Sequence, residues 1–305
     1  MRYPRVTKVF AHRLVPGPAA WMVRLITRPA RSAELVAPPT LPVRAVNIAS
    51  RSGNVIRGWL LEGTVGAGAV LLLHGVGGNR ESMVGRAHFL HRAGYTILLP
   101  DFQAHGESAG SRITFGALES LDAEAALAFL RACCGGDRIG VIGISMGGAA
   151  ALLGAGHGRA DAYVLESVYP TMRQAVDGRL RTWLGPLGAI RRLIAPRIMR
   201  SLEAVAGVAE DALRPIDVIG SLQAPVLVIA GSHDPYTPRD ESRALFERAR
   251  EPKEYWVVAG ARHEDMHAFA GEVYERRVEE FLALHLRNPP VHFRAGGAHQ
   301  PPSVR

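Results

Sequence analysis

The rhythm of apolar and polar positions changes along the chain. Two short runs come first, VRAVNIAS (43–50) and VIRGWLLE (55–62), separated by the polar RSGN. Ser52-Gly53-Asn54 suits a tight turn, so the pair predicts a β-hairpin. Then come AVLLLHG (69–75), YTILLPD (95–101), RIGVIGIS (138–145), AYVLESV (162–168), PVLVIAGS (225–232) and KEYWVVAG (253–260). These runs are nearly continuous in hydrophobicity and rich in β-branched residues, as expected of strands buried on both faces of a parallel sheet. Helical periodicity fills 80–93, 118–133, 146–157, 239–249 and 269–286 between and after them. The pattern predicts an α/β fold of eight strands, the first two antiparallel and the rest mostly parallel, with helices on both faces.

One interval breaks the alternation. Between Val168 and Pro225 no strand pattern occurs. In 179–199, Leu180, Trp183, Leu184, Leu187, Ile190, Leu193, Ile194 and Ile198 recur at helical spacing around a Gly185-Pro186 break. This predicts a small helical cap over 169–224, its apolar face on the C-terminal edge of the sheet, where open α/β sheets place ligands. The remaining boundaries are a basic N-terminal arm (1–42), a core (43–168 and 225–286) and an aperiodic tail (287–305) expected to be disordered.

The chemistry concentrates at strand ends. Gly143-Ile144-Ser145-Met146-Gly147 is a G-x-S-x-G placed directly between a buried strand and a helix. A sharp strand-to-helix turn holds such a serine in a strained conformation, and a Cβ at either flanking glycine would collide with neighbouring chain. The serine then stands at a helix N-terminus, where the dipole and free N–H groups favour negative charge. A second match, Gly106-Glu107-Ser108-Ala109-Gly110, begins several residues after its strand and has no helix behind it. Ser145 is therefore the candidate nucleophile. His263-Glu264-Asp265-Met266-His267 reads as the zinc-peptidase pattern H-E-x-x-H. That motif needs both histidines on one helix, yet a strand ends at Gly260, leaving no room for a preceding helical turn. The match is expected to be coincidental.

HGVGGN (74–79), DFQAHGES (101–108), GISMGG (143–148), GSHDPYTP (231–238) and GARH (260–263), in this order, resemble the α/β-hydrolase superfamily. The likeness covers about residues 43–286 and is nearest to serine-aminopeptidase-like, BEM46-like and acyl-ester hydrolases. Many relatives carry R-G-H-G where this chain has Gln103-Ala104-His105-Gly106. The resemblance implies the order Ser, acid, His, each on a loop after a strand. Asp234 follows the seventh strand run and His263 the eighth, which makes them the acid and the base beside Ser145; His267 is the fallback base. The oxyanion donors implied are the N–H groups of Met146 and Val76. His74 reads as a brace rather than a second base, and Asp101 as a support for the His105 loop. Asp217, Asp240 and Glu241 read as helix-start or surface acids.

Composition narrows the function classes. The net charge is +8, nearly all of it arginine, with no arginine run interleaved with aromatics, so no nucleic-acid partner is expected. Two adjacent cysteines, Cys133 and Cys134, exclude a disulfide scaffold and read as small buried apolar residues. No run approaches the roughly 20 apolar residues of a membrane span, and no clear signal peptide is present, so a cytoplasmic location is expected. The first acid of the chain is Glu34, and the cap is rich in arginine. Peripheral membrane contact through arm or cap is the sharper reading of that charge; a solvated face is the plainer one. The expected activity is a serine carboxylesterase on a small-molecule ester with a small or medium acyl group, with no cofactor and no metal. Acyl transfer or peptide cleavage on the same triad, or a catalytically silent binding protein, are the alternatives. Oligomeric state is not read from the sequence.

Overall fold

The computed structural model describes residues 17–155 and 159–287. The expectations for residues 1–16 of the arm and for the tail from 288 lie outside the described residues.

The strands in chain order are β1 (Ala30–Arg31), β2 (Arg44–Ala49), β3 (Val55–Leu61), β4 (Ala69–Leu73), β5 (Thr96–Pro100), β6 (His105–Gly106), β7 (Ile139–Ile144), β8 (Ala162–Glu166), β9 (Val226–Gly231) and β10 (Lys253–Val258). Eight of them form one sheet in the order β2-β3-β5-β4-β7-β8-β9-β10. β3 runs antiparallel to both of its neighbours, and all other pairs are parallel. Each of the eight begins within one residue of its expected position and ends one or two residues early. The apolar runs continue past the ladder because their last residues enter the loops of the C-terminal edge.

The helices are α1 (Pro18–Ile26), α2 (Val84–Arg92), α3 (Ala117–Cys133), α4 (Met146–Gly154), α5 (Met172–Leu184), α6 (Arg191–Ala206), α7 (Pro215–Ile219), α8 (Arg239–Arg248), α9 (Met266–Ala270) and α10 (Glu272–Leu286). The period-two geometry of a strand divides each run between two cores. Leu71, Leu73, Val141 and Leu165 face α3, α4 and the helices after β8. Val70, Leu72, Ile142 and Val164 face α2 and α10.

Five details depart from the sequence reading. The helix expected over 80–93 opens as a 3-10 turn, Arg80–Met83, whose Asn79 cap accepts from the Glu81 N–H. The last helix is two, broken at Gly271 with φ 51° and ψ −128°. Residues 17–42 carry α1, which packs on α6, and β1, which pairs with β6. In the segment after β8 the expected apolar face is divided: Leu180 and Ile198 are buried, while Trp183, Leu187, Ile190 and Leu193 are exposed. Cys133, at the end of α3, is likewise exposed rather than buried. Helical spacing identifies a stripe of apolar residues but not which neighbour, if any, covers it.

A charged network ties the sheet to its outer layer. Arg86 of α2 is fully buried and forks onto Glu166 at the end of β8, with Nε–Oε1 at 3.1 Å and Nη2–Oε2 at 2.7 Å. Tyr274 of α10 donates its hydroxyl to Glu166 Oε1, and Asp265 lies 2.9 Å from Arg86 Nη2. The Glu166 carbonyl in turn accepts the N–H of Ser145. Removing one member of a buried pair strands the other charge, at a cost of about 3–5 kcal/mol. We predict that Arg86→Met lowers the unfolding free energy measured in urea by that amount, and that adding Glu166→Gln restores much of the loss. Equal destabilisation of the single and double variants would contradict the pairing.

Candidate active site

The site is built at the C-terminal ends of β7, β9 and β10. Ser145 joins β7 to α4 with φ 49° and ψ −110°, a conformation rarely taken by a residue with a side chain. Two glycines make the turn feasible through close approach. A Cβ on Gly143 would lie 2.6 Å from the Gly148 N and Cα, and one on Gly147 would lie 2.3 Å from the Leu73 carbonyl oxygen. Ser145 is therefore pressed against the end of β4 and is nearly covered.

Asp234 and His263 are brought together. Asp234 Oδ2 meets His263 Nδ1 at 2.8 Å, while Oδ1 accepts the N–H groups of Tyr236 and Thr237, both at 2.9 Å. Burial opposes ionisation of Asp234, but the His263 hydrogen bond and charge, with the two N–H groups, hold its pKa below the usual carboxylate range. An ionised carboxylate only accepts, so Nδ1 of His263 carries the proton and Nε2 is left as a bare acceptor. Ser145 Oγ makes no hydrogen bond among the described residues; the Ser145–His263 contact is not formed. Hydrogen bonds of this kind often tighten only when substrate is bound.

The HEDMH stretch does not form one helix. Asp265 caps α9 by accepting the N–H groups of His267 and Ala268, so His263 precedes the helix. His267 pairs instead with Glu275, with Nε2–Oε1 at 3.0 Å. The other G-x-S-x-G serine, Ser108, is buried; its hydroxyl donates to the Asp101 carbonyl and accepts the Arg57 N–H. Asp217 pairs with Arg214, and Asp240 and Glu241 lie in the first turn of α8.

The loop after β4 holds Val76, the other expected oxyanion donor. Neither Val76 N–H nor Met146 N–H has a protein acceptor among the described residues, whereas neighbouring N–H groups are taken: Gly77 by His105 Nε2 at 3.2 Å and Gly78 by the Gly75 carbonyl. His74 and His105 brace this loop as neutral rings. His74 donates from Nδ1 to the Gly75 carbonyl at 2.8 Å and accepts the Phe102 N–H at Nε2. His105 donates from Nδ1 to the Gln103 carbonyl at 2.9 Å. Asp101 holds the same region by accepting from Arg80 N, Arg80 Nη1 and the Glu107 N–H. Where the family pattern has glycine, Ala104 takes φ 60°, a local strain that the surrounding hydrogen bonds sustain.

Sequence reading missed the residues that flank His263. The Tyr236 ring stands edge-on to His263, with centroids 5.4 Å apart, and the Arg179 guanidinium lies 5.1 Å from the centre of Tyr236. α5 packs so tightly here that a Cβ on Gly178 would lie 2.4 Å from the Tyr236 carbonyl oxygen. Arg179 makes no ion pair among the described residues, and burial lowers its pKa. The only signals were Pro235 and Pro238 bracketing Tyr236 and the run of arginines in the interval after β8.

This fold and edge-of-sheet arrangement define an α/β hydrolase, and the chain belongs to the alpha/beta hydrolase family, whose model matches residues 70–277. It is 32% identical over 264 residues to an uncharacterized protein of Mycobacterium tuberculosis strain H37Rv, covering 85% of this chain and 86% of that one. It is 26% identical over 245 residues to the uncharacterized YqkD of Bacillus subtilis, covering 77% of each. Among solved structures, the Pyrococcus furiosus esterase Pf2001 superposes with a TM-score of 0.70 at 26% identity, covering 86% of this chain and 98% of the esterase. The chain is thus a hydrolase of the esterase-like α/β type. No described helix is long and apolar enough to cross a membrane.

The neutral histidine brace has a pH signature. Burial first, then the adjacent His105 ring, push the His74 pKa down to about 3 from 6.5, against the Gly75 hydrogen bond. Below pH 6.5 the unfolded chain binds a proton that the native loop refuses. This group therefore removes stability as pH falls toward 3, by about 1.4 kcal/mol per unit. Asp122, raised to about 7 by burial, acts with the opposite sign, adding stability that is lost as pH rises through 7. The two partly cancel in the native protein, so the test is a difference. Between pH 6.5 and 4.5, urea unfolding of His74→Asn should lose stability less steeply on acidification than the native protein, by close to one proton. Parallel profiles would refute the neutral brace. The strain at residue 104 gives a second expectation: Ala104→Gly, which frees the left-handed position, raises stability by about 1 kcal/mol in the same assay.

Proposed function

We propose that the protein is a serine carboxylesterase acting through an acyl-enzyme on esters of small or medium acyl groups. A serine hydroxyl needs a base to take its proton, and the base needs an orienting carboxylate. Ser145 Oγ attacks the ester carbonyl and His263 Nε2 takes the proton. Asp234 keeps the imidazole in the required tautomer and stabilises its cationic form. The N–H groups of Val76 and Met146 receive the oxyanion. As the intermediate collapses, the C–O bond to the alcohol breaks and His263 returns its proton to the departing alkoxide. Water, deprotonated by the same imidazole, then releases the acid and frees Ser145.

The single observation that carries this reading is the Asp234–His263 hydrogen bond, with the second Asp234 oxygen saturated by backbone, at the sheet edge where Ser145 stands in its strained turn. The likeness to the Pyrococcus furiosus esterase supports ester over peptide bonds.

A fluorophosphonate probe should label the protein at Ser145, and p-nitrophenyl esters of graded chain length should be turned over without loss to a chelator. For Ser145→Ala, kcat should fall by about 10³–10⁶-fold with the fold intact by circular dichroism. A loss of only two-fold, or activity removed by chelation, would refute the assignment. Neither label nor turnover would point to a binding role.

A further inference from the structure

α1 and α6 pack on each other, and α1 and the start of α6 both expose large apolar side chains. α1 turns Ala20 and Val23 inward and leaves Trp21 and Leu25, one helical turn apart, at 66% and 43% exposure. The turn between α5 and α6 and the first residues of α6 expose Leu187, Ile190 and Leu193, at 63%, 44% and 65%. Large aliphatic and aromatic side chains grouped this way cost solvation unless something covers them. The charge around them is mostly positive, although Asp177 of α5 pairs with Arg191 at 3.0 Å beside the α5–α6 turn. Residues 179–202 contain no acid, and no acid precedes Glu34. Arg24 of α1 and Arg28, just beyond its end, are exposed. Arg197 and Arg200 bond only to carbonyls of their own helix, so no carboxylate neutralises them among the described residues. Elsewhere on the surface, exposed arginines such as Arg44, Arg173 and Arg243 are paired with glutamates.

Apolar side chains within an arginine-rich field that one ion pair, Asp177–Arg191, neutralises only in part match a bilayer interface. The rings and aliphatic chains enter the headgroup–acyl boundary while guanidinium groups meet anionic headgroups. A second copy docked on this face would set arginine against arginine.

We propose that the face formed by α1, the α5–α6 turn and the start of α6 docks the protein peripherally on anionic lipid surfaces. The inference does not depend on the esterase reading. The attachment is reversible and electrostatically assisted, so it weakens as salt shortens the screening length.

The test uses the full-length protein with sucrose-loaded vesicles of phosphatidylcholine, alone or with 30–40% phosphatidylglycerol (roughly the anionic content at which a basic interfacial helix binds well). Sedimentation should recover the protein with the anionic vesicles at low salt, several-fold less at 0.5 M NaCl (a screening length on the order of a few ångström), and little with phosphatidylcholine alone. Leu187→Ser with Leu193→Ser, and separately Arg197→Glu with Arg200→Glu, should each reduce the bound fraction about ten-fold or more, with thermal midpoint and turnover of a soluble short ester unchanged. Trp21→Ser with Leu25→Ser should do the same if α1 shares the face. Failure to bind anionic vesicles at low salt, or binding that survives both cap variants, overturns the proposal. A dimer in size-exclusion chromatography that Leu187→Ser with Leu193→Ser dissolves would also overturn it, by giving the face to a second copy. Loss of ester turnover by native protein that still binds vesicles would strike the esterase reading alone.

Discussion

The structure turns on a backbone bend that a side-chain-bearing residue adopts only under constraint. Ser145 sits at φ 49° because β7 ends against β4 on one side and α4 starts immediately on the other. Such a conformation costs about 1–3 kcal/mol. It persists because the strand before it is buried along nearly its whole length and the helix after it is packed close by small residues. The strain is thus sustained by the core, and it is what aims a hydroxyl off the edge of the sheet. Glycine at 143 and 147 is a requirement of distance rather than of dihedral freedom: carbonyl and backbone atoms occupy the space a methyl group would take.

Around that bend the polar groups divide into those satisfied and those left free. His74, His105, Asp101 and Arg80 satisfy one another and the loop backbone. Because neighbouring donors in this loop are consumed, the unclaimed N–H groups of Val76 and Met146 stand out. On the other side, Asp234 spends one oxygen on its own turn and the other on His263, which fixes a tautomer with a bare outward nitrogen. α5 closes over this pair through Gly178, Tyr236 and Arg179, so the helices inserted after β8 contribute to the surroundings of the base as well as to the surface.

The sequence by itself determined the alternation of strands and helices, since burial on two faces leaves an uninterrupted apolar run and helical packing leaves a 3.6-residue stripe. It also made Ser145 preferable to Ser108, because only one of the two identical patterns lies between a strand and a helix. Asp234 and His263 were legible from their places after β9 and β10, with the resemblance supplying their order. The zinc pattern could be discounted by counting residues from Gly260. What only the tertiary structure decided were pairings between side chains far apart in sequence and the choice among faces. Arg86 finds Glu166 and Tyr274 80 and 188 residues away. Tyr236 and Arg179 meet beside His263, though only the flanking prolines and the run of arginines hint at them in the sequence. The apolar stripe of the α5–α6 segment is buried at Leu180 and Ile198 and bare at Leu187 and Leu193. Periodicity is a property of one segment, while burial and charge neutralisation belong to whatever stands opposite, and that is settled only when the chain has folded.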